Sequence, residues 1–295
     1  MNDAWGHRNE TIVEARKGSA MTDTKTYTDV VLYEVSDGIA TLTLNRPDRL
    51  NAWTGGLARR YYELLEQAAA DDNVRVIIVT GAGRGFCAGA DMDSLQGNAS
   101  TDESDAGLDR PIWFPTTIYK PIIAAINGAC AGIGFCAALM ADLRFAAAGA
   151  KFTTAFVRRG LIAEHGSSWA LPRLIGHAAA LDLLFSGRVF LAEEAKDLGV
   201  VNQVFEPSEL IAKTREYAKD LIDHCSPRSM ATIKAEIYRH WNMDLAPSVK
   251  EANQLMTRSF GFPDFREGVQ SFVQKRNPDF EPLPDDYEVL PKDWS

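Results

Sequence analysis

The chain has 295 residues, 46% of them hydrophobic, enough to bury a full core in one large domain or a domain with a helical appendage. Its net charge of −9 argues against a nucleic-acid groove, and no apolar run approaches the roughly 20 residues of a membrane helix. The four cysteines, Cys87, Cys130, Cys136 and Cys225, show neither CxxC pairing nor zinc spacing, so they read as small hydrophobes in a reducing cytoplasm and no metal site is expected.

Residues 1–27 are polar and read as a leader without the apolar stretch of a secretory signal. Residues 30–35 and 39–44 read as two strands joined by a turn at Ser36-Asp37-Gly38. Asn45-Arg46-Pro47-Asp48 breaks the pattern. Residues 57–71 have helical spacing, with Leu57, Tyr61, Leu64, Leu65 and Ala68 on one side. Residues 74–80 form a β-branched apolar run, as expected of a strand covered on both faces. Residues 97–110 are rich in turn-forming and charged residues and read as a loop. Trp113, Phe114 and Tyr119 follow it and either line an acyl pocket or pack in the core. Another buried strand is expected at 121–126, a small-residue helix at 134–141 and a strand at 143–148. From about residue 206 only helices are expected, at 208–224, then after the Ser226-Pro227 cap, and at 249–260 and 263–276. The last residues, 277–295, carry six carboxylates, one lysine and four prolines, and read as an extended tail. Strands alternating with helices, then helices alone, give an α/β core with a C-terminal helical region.

Two glycine-rich segments dominate the chain. Val76-Ile77-Ile78-Val79-Thr80 leads into Gly81-Ala82-Gly83-Arg84-Gly85-Phe86-Cys87-Ala88-Gly89-Ala90-Asp91, and Pro121-Ile122-Ile123-Ala124-Ala125-Ile126-Asn127 leads into Gly128-Ala129-Cys130-Ala131-Gly132-Ile133-Gly134. Each reads as a buried strand, a turn that exposes backbone N–H groups, and a helix. Neither is followed by the Lys-Ser or Lys-Thr of a P-loop, Gly81/Gly83/Gly85 lack the G-x-G-x-x-G spacing, and no G-x-S-x-G elbow is present. Two such turns facing one another would form a two-donor pocket for an oxyanion, which points to chemistry on a carbonyl.

Gly85-Phe86-Cys87-Ala88-Gly89-Ala90-Asp91-Met92 resembles the first oxyanion segment of the crotonase (enoyl-CoA hydratase/isomerase) superfamily, and Ile126 to Gly134 resembles its second. Thr43-Leu44-Asn45-Arg46-Pro47 through Leu50-Asn51-Ala52 resembles its N-terminal signature, and Phe272-Val273-Gln274-Lys275-Arg276 its last helix. The resemblance implies an α/β fold, a crotonase-like spiral of ββα units over 28–205. It also implies a C-terminal helical trimerisation region over 206–276, with 277–295 as an acidic tail. The implied partners are an acyl-CoA substrate and further copies of the chain, as a homotrimer or homohexamer, with no nucleic acid or membrane. Coenzyme A is part of the substrate, so no separate cofactor is implied. Ala90 N–H and Ile133 N–H would hold the thioester oxygen and stabilise an enolate. Arg49, Leu50, Asn51 and Ala52 would hold the coenzyme, with Ala88 near the adenine and with Asp91 and Met92 continuing the binding segment. Phe272 and Lys275 would contact the coenzyme of a neighbouring subunit.

The resemblance also implies where an acid/base should stand. Hydratases of the superfamily carry two glutamates at positions that correspond here to Cys136 and Phe156. Glu164 corresponds to an acid/base aspartate of the dienoyl-CoA isomerase branch. The expected reaction is therefore double-bond isomerisation with Glu164 as proton carrier and His165 orienting or packing beside it. The alternatives are a hydratase with a single non-standard acid, a thioester or carbon–carbon hydrolase, and a non-catalytic acyl-CoA binder. Asp142 and Asp91 are expected to fix the structure around them.

Overall fold

The computed structural model describes residues 29–91, 110–284 and 286–291. The expected leader, Met92, residues 97–109 of the expected loop and residues 292–295 of the tail lie outside the described residues. The chain divides into two compact units, one formed by Tyr27–His224 and one containing the chain from Cys225 onward.

In the first unit, β1 (Val31–Ser36) and β2 (Ile39–Leu44) pair antiparallel with Ser36 opposite Ile39. Asp37 and Gly38 turn the chain at φ 55° and 77°. This mirror-image turn matches the right-handed twist of the strands. Thr54 caps α1 (Gly55–Ala70) by accepting from Leu57 N–H at 3.2 Å. Leu57, Tyr61, Leu64, Leu65 and Ala68 lie on its buried face, as the helical period predicts.

The chain then alternates long and short strands. β3 (Val76–Gly81) leads to β4 (Gly85–Cys87), β5 (Ile122–Ile126) to β6 (Ala129–Ala131) and α2 (Ile133–Leu139), and β7 (Leu143–Ala147) to β8 (Lys151–Thr153). Next come α3 (Ser167–Ile175), α4 (His177–Ser186), β9 (Phe190–Leu191), α5 (Ala192–Leu198), β10 (Gln203–Phe205) and α6 (Leu210–His224). The long strands form one sheet in the order β1-β2-β3-β5-β7-β10, parallel except for its first pair. The short strands form a second sheet, β4-β6-β8-β9. Every residue of β5, and every residue of β3 up to Thr80, is buried. Each Ile or Val so buried contributes about 1.5–3 kcal/mol of transfer free energy. α6 packs against β2, β3, β5, β7 and β10 and so belongs to this unit.

The two glycine-rich segments therefore differ from the expected strand, turn and helix. Each passes from a long strand of the first sheet into a three-residue strand of the second. Strands this short carry no readable alternation, and their glycines disguise them further. Phe114 joins the core edge-on to Tyr62 at 6.0 Å, whereas Trp113 is exposed.

In the second unit, α7 (Pro227–His240) opens on Ser226, which accepts from Ser229 N–H at 3.0 Å. α8 (Leu245–Ser259) and α9 (Pro263–Gln274) follow. Arg228 pairs with Asp264 where both are buried, and Arg239 grips Glu251 with two bonds of 2.7 and 2.9 Å. The acidic tail lies along this unit: Asp279 N–H bonds Glu267 (2.7 Å), the Tyr287 and Thr232 hydroxyls pair (2.8 Å) and Val289 is buried.

Candidate active site

Two asparagines set the shape of the first glycine segment. Asn51 is fully buried. Its Oδ1 accepts from Arg46 N–H at 2.8 Å, and its Nδ2 donates to the carbonyls of Ala82 (3.0 Å) and Gly85 (2.8 Å). Asn127 mirrors it: Oδ1 accepts from Gly81 N–H at 3.2 Å, and Nδ2 donates to Gly81 and Gly83 carbonyls at 2.9 Å each. Residues 82–84 join β3 to β4 in an irregular loop whose backbone groups and flanking strand ends need partners, and the side-chain amides supply them. A Cβ on Gly81 would overlap the Gly85 carbonyl within the first segment, and one on Gly128 would overlap the Arg84 carbonyl, so the second segment meets the first there only because position 128 is glycine.

Residues 50–53 run beside 88–91. Ala88 N–H bonds Leu50 O (3.0 Å), Trp53 N–H bonds Gly89 O (2.8 Å) and Asp91 N–H bonds Trp53 O (3.1 Å), with Trp53 opposite Ala90 in a parallel bridge. In a parallel pair the residue opposite the bonded one turns its own N–H and C=O to the far side. Ala90 N–H therefore points away from residues 50–53. Arg46 locks this arrangement: Nη1 bonds Ala52 O at 2.6 Å and Nη2 bonds Asp91 Oδ2 at 2.8 Å. The Asp91 carboxylate is only 7% exposed and fixes the turn, as its position suggests.

Ile133 opens α2, where the first N–H groups have no partner within the helix. Gly132 precedes it at φ 52° and ψ −125°, a conformation suited to glycine. A Cβ on Gly132 would stand 3.8 Å from Gly89 Cα, and one on Gly89 would stand 3.3 Å from Ala131 O. The two glycines thus abut, and the residue after each is Ala90 or Ile133. Ala90 and Ile133, the residues whose N–H groups the resemblance implies as donors, thus follow two glycines in contact.

Glu164 is tied through Cys136 to α2, the helix that Gly132 precedes. Its carbonyl accepts from Ser167 N–H (3.0 Å), Ser167 Oγ (2.7 Å) and Cys136 Sγ (3.6 Å). Its side chain is 32% exposed and its Oε2 stands 3.6 Å from His165 Nε2. Cys136 is buried, and burial pushes its thiol up to about 12, with the Ser167 hydrogen bond opposing and the Glu164 charge reinforcing the rise. Phe156 is also buried, and its ring would lie 3.9 Å from a Cβ on Gly132. The two positions where hydratases of the resembled family carry glutamates therefore present a protonated thiol and a phenyl ring. Asp142 serves the fold instead, since its Oδ2 accepts from Ile122 N–H at 2.8 Å at the start of β5.

Arg49 is exposed, and Leu50 and Asn51 adopt left-handed φ of 51° and 56° that bend the chain back toward β4. Asn51 directs its side-chain amide inward, onto the loop. Phe272 is 85% exposed and Lys275 ends α9 with a left-handed φ of 54°. Both belong to the second unit. Ser167 shapes the site although nothing in the sequence marks it for that, and Asn127 and Arg46 stand out there only as parts of motifs. Their signal is a polar side chain next to a glycine segment or three residues from an acid, which acquires meaning only when the partner carbonyls are known.

Comparison with known proteins agrees with this geometry. Residues 34–282 match the family model of enoyl-CoA hydratase/isomerase. The 1,2-epoxyphenylacetyl-CoA isomerase of Escherichia coli is 34% identical over 261 residues, covering 85% of this chain and 98% of that protein. A solved enoyl-CoA hydratase from Mycobacterium marinum is 54% identical with a TM-score of 0.62, covering 71% of this chain and 97% of the other. One from Mycobacterium tuberculosis is 30% identical with a TM-score of 0.79, covering 85% and 98%. With its long and short strands alternating in a crotonase-like spiral and its glycine segments abutting, the chain belongs to the enoyl-CoA hydratase/isomerase family of acyl-CoA enzymes.

Proposed function

We propose that this enzyme moves the double bond of an enoyl-CoA thioester, with Glu164 as proton carrier. Ala90 N–H and Ile133 N–H bind the thioester oxygen. Glu164 removes a proton from C-2 of a 3-enoyl thioester, and the electron pair moves into the carbonyl as a dienolate. Return of the proton to C-4 yields the 2-enoyl thioester. Each oxyanion donor contributes on the order of 2.7–4 kcal/mol to the transition state.

The observation that carries this reading is the placement of Glu164, pinned through its carbonyl to Cys136 on α2, the helix that Ile133 opens. Burial keeps the Cys136 thiol protonated, and the Phe156 ring carries no acid, which leaves Glu164 as the carboxylate at hand. In this reading Arg49, Leu50, Ala52 and Ala88 meet the coenzyme. Asn51 and Asp91 shape that segment from within, and Met92 continues it. Phe272 and Lys275 reach the coenzyme of a neighbouring copy in a cytoplasmic homotrimer or homohexamer, and no separate cofactor takes part.

The test is turnover of 3-hexenoyl-CoA in water enriched in heavy oxygen. Isomerisation gives 2-hexenoyl-CoA without label, and Glu164→Gln loses at least a hundredfold in kcat. Unchanged turnover by that variant overturns the role of Glu164. Labelled 3-hydroxyacyl product instead supports a hydratase in which Glu164 positions water, in keeping with the names of the two mycobacterial relatives.

A further inference from the structure

Taking Glu164 as the proton carrier proposed above, we propose that His165 is a positioning residue that passes the carried proton between Glu164 and solvent. The double-bond shift would then exchange its proton with water instead of returning the one it removed.

Four observations converge on His165. Its Nε2 stands 3.6 Å from Glu164 Oε2, close enough for a proton to cross once either side chain moves by a few tenths of an ångström. The imidazole is 26% exposed and the carboxylate 32%, so water reaches both side chains while most of each is covered. His165 adopts φ 52°, a left-handed conformation costly for a residue with a Cβ, immediately before Gly166 at φ 77°. The surrounding structure holds that strain: the Glu164 carbonyl accepts three donors, two from Ser167 and one from Cys136, and Trp169 and Ala170 N–H groups bond Gly166 O.

The other neighbours cannot take this part. The Cys136 thiol is buried, the Ser167 hydroxyl donates to the Glu164 carbonyl, and Phe156 has no exchangeable proton. Imidazole has two ring nitrogens, so it can accept a proton on one and release another from the opposite one without turning. In the relay, Glu164 carboxylate takes the C-2 proton and becomes the acid. The acid gives that proton to His165 Nε2, forming imidazolium, which releases its Nδ1 proton to water. A solvent proton entering by the reverse route reprotonates Glu164, which delivers it to C-4 of the dienolate.

The test uses the full-length enzyme in heavy water, with 3-hexenoyl-CoA as probe and mass spectrometry of the product at low conversion. The readout is deuterium at C-4 per molecule of product, which does not depend on how much of a variant is folded. The wild type should place deuterium in most product molecules. His165→Gln, of similar size but unable to relay a proton, should show at least a threefold lower deuterium fraction together with slower turnover. Imidazole added to His165→Ala should raise the fraction again. An equal deuterium fraction in wild type and His165→Gln overturns the proposal. Unchanged turnover in Glu164→Gln instead overturns the reading on which it stands. A second measurement needs no double bond: exchange of the C-2 protons of hexanoyl-CoA in heavy water should slow at least tenfold in His165→Gln, and equal rates overturn the relay.

Discussion

The Cys136 thiol donates to the carbonyl of Glu164 across 3.6 Å and 28 residues of sequence, and Ser167 donates to the same oxygen twice. A hydrogen bond between neutral groups contributes about 0.5–1.5 kcal/mol net. Ser167→Ala should therefore cost about 1 kcal/mol in denaturant unfolding. Its larger effect should be on kcat, which should fall roughly tenfold while KM for the acyl-CoA changes little, because the carboxylate loses its fixed origin. Steady-state kinetics and urea titration of one preparation check both halves.

Ile133 donates to no other described residue and opens α2, so its N–H can be deleted without breaking a helical bond. Proline is tolerated at a first helical position. Ile133→Pro should lower kcat by about 10²–10³, the loss expected for one oxyanion donor. Circular dichroism should show the helix content retained.

Asp91 and Arg46 form a pair at 2.8 Å in which the carboxylate is buried and the guanidinium about a quarter exposed. Asp91→Ala should destabilise the fold by on the order of 1–3 kcal/mol, discounted for the solvent that reaches Arg46. It should also lower kcat/KM for acyl-CoA, since Asp91 adjoins Ala90. Lysine at position 46 should not restore activity to wild type, because Arg46 bonds both Asp91 and Ala52 O through separate nitrogens.

Burial pushes the Cys87 and Cys136 thiols up to about 12 from the usual 9.0, and Cys130 well above it. A thiol whose folded value is raised binds more protons folded than unfolded between those two values. Its contribution to stability is full below about pH 9 and is lost as pH rises toward 12. Stability to urea should therefore fall between pH 9 and 11, less steeply in Cys136→Ala. At pH 8 iodoacetamide should label Cys225, the half-buried cysteine, and spare the three buried ones, as peptide mass mapping can check.

Much of the architecture could be read from the chain because long apolar runs have no other outcome. Residues 76–79 and 122–126 must be buried strands, and the stripe from Leu57 to Ala68 must face a core. The short sheet was not legible, because three residues such as Gly85-Phe86-Cys87 have no period and are held by Asn51 from 34 residues away. The proposed pairing of Ala90 and Ile133 as donors rests on the resemblance; backbone groups leave no trace in side-chain chemistry. Glu164 was visible as an acid, but the Ser167 and Cys136 contacts that fix it exist only in three dimensions.

The clamp at Asn127 has a consequence for ageing. Asn127 precedes Gly128, the pairing in which a side-chain amide is most readily attacked by the following backbone nitrogen. That attack needs a backbone and side chain free to rotate, and here both amide atoms are tied to Gly81 and Gly83. Deamidation is thus confined to moments when the loop opens. The resulting aspartate would face two carbonyl oxygens that it can only repel, so the loop could not close again as before. Each opening of this small loop is therefore a chance for a change that the closed loop prevents.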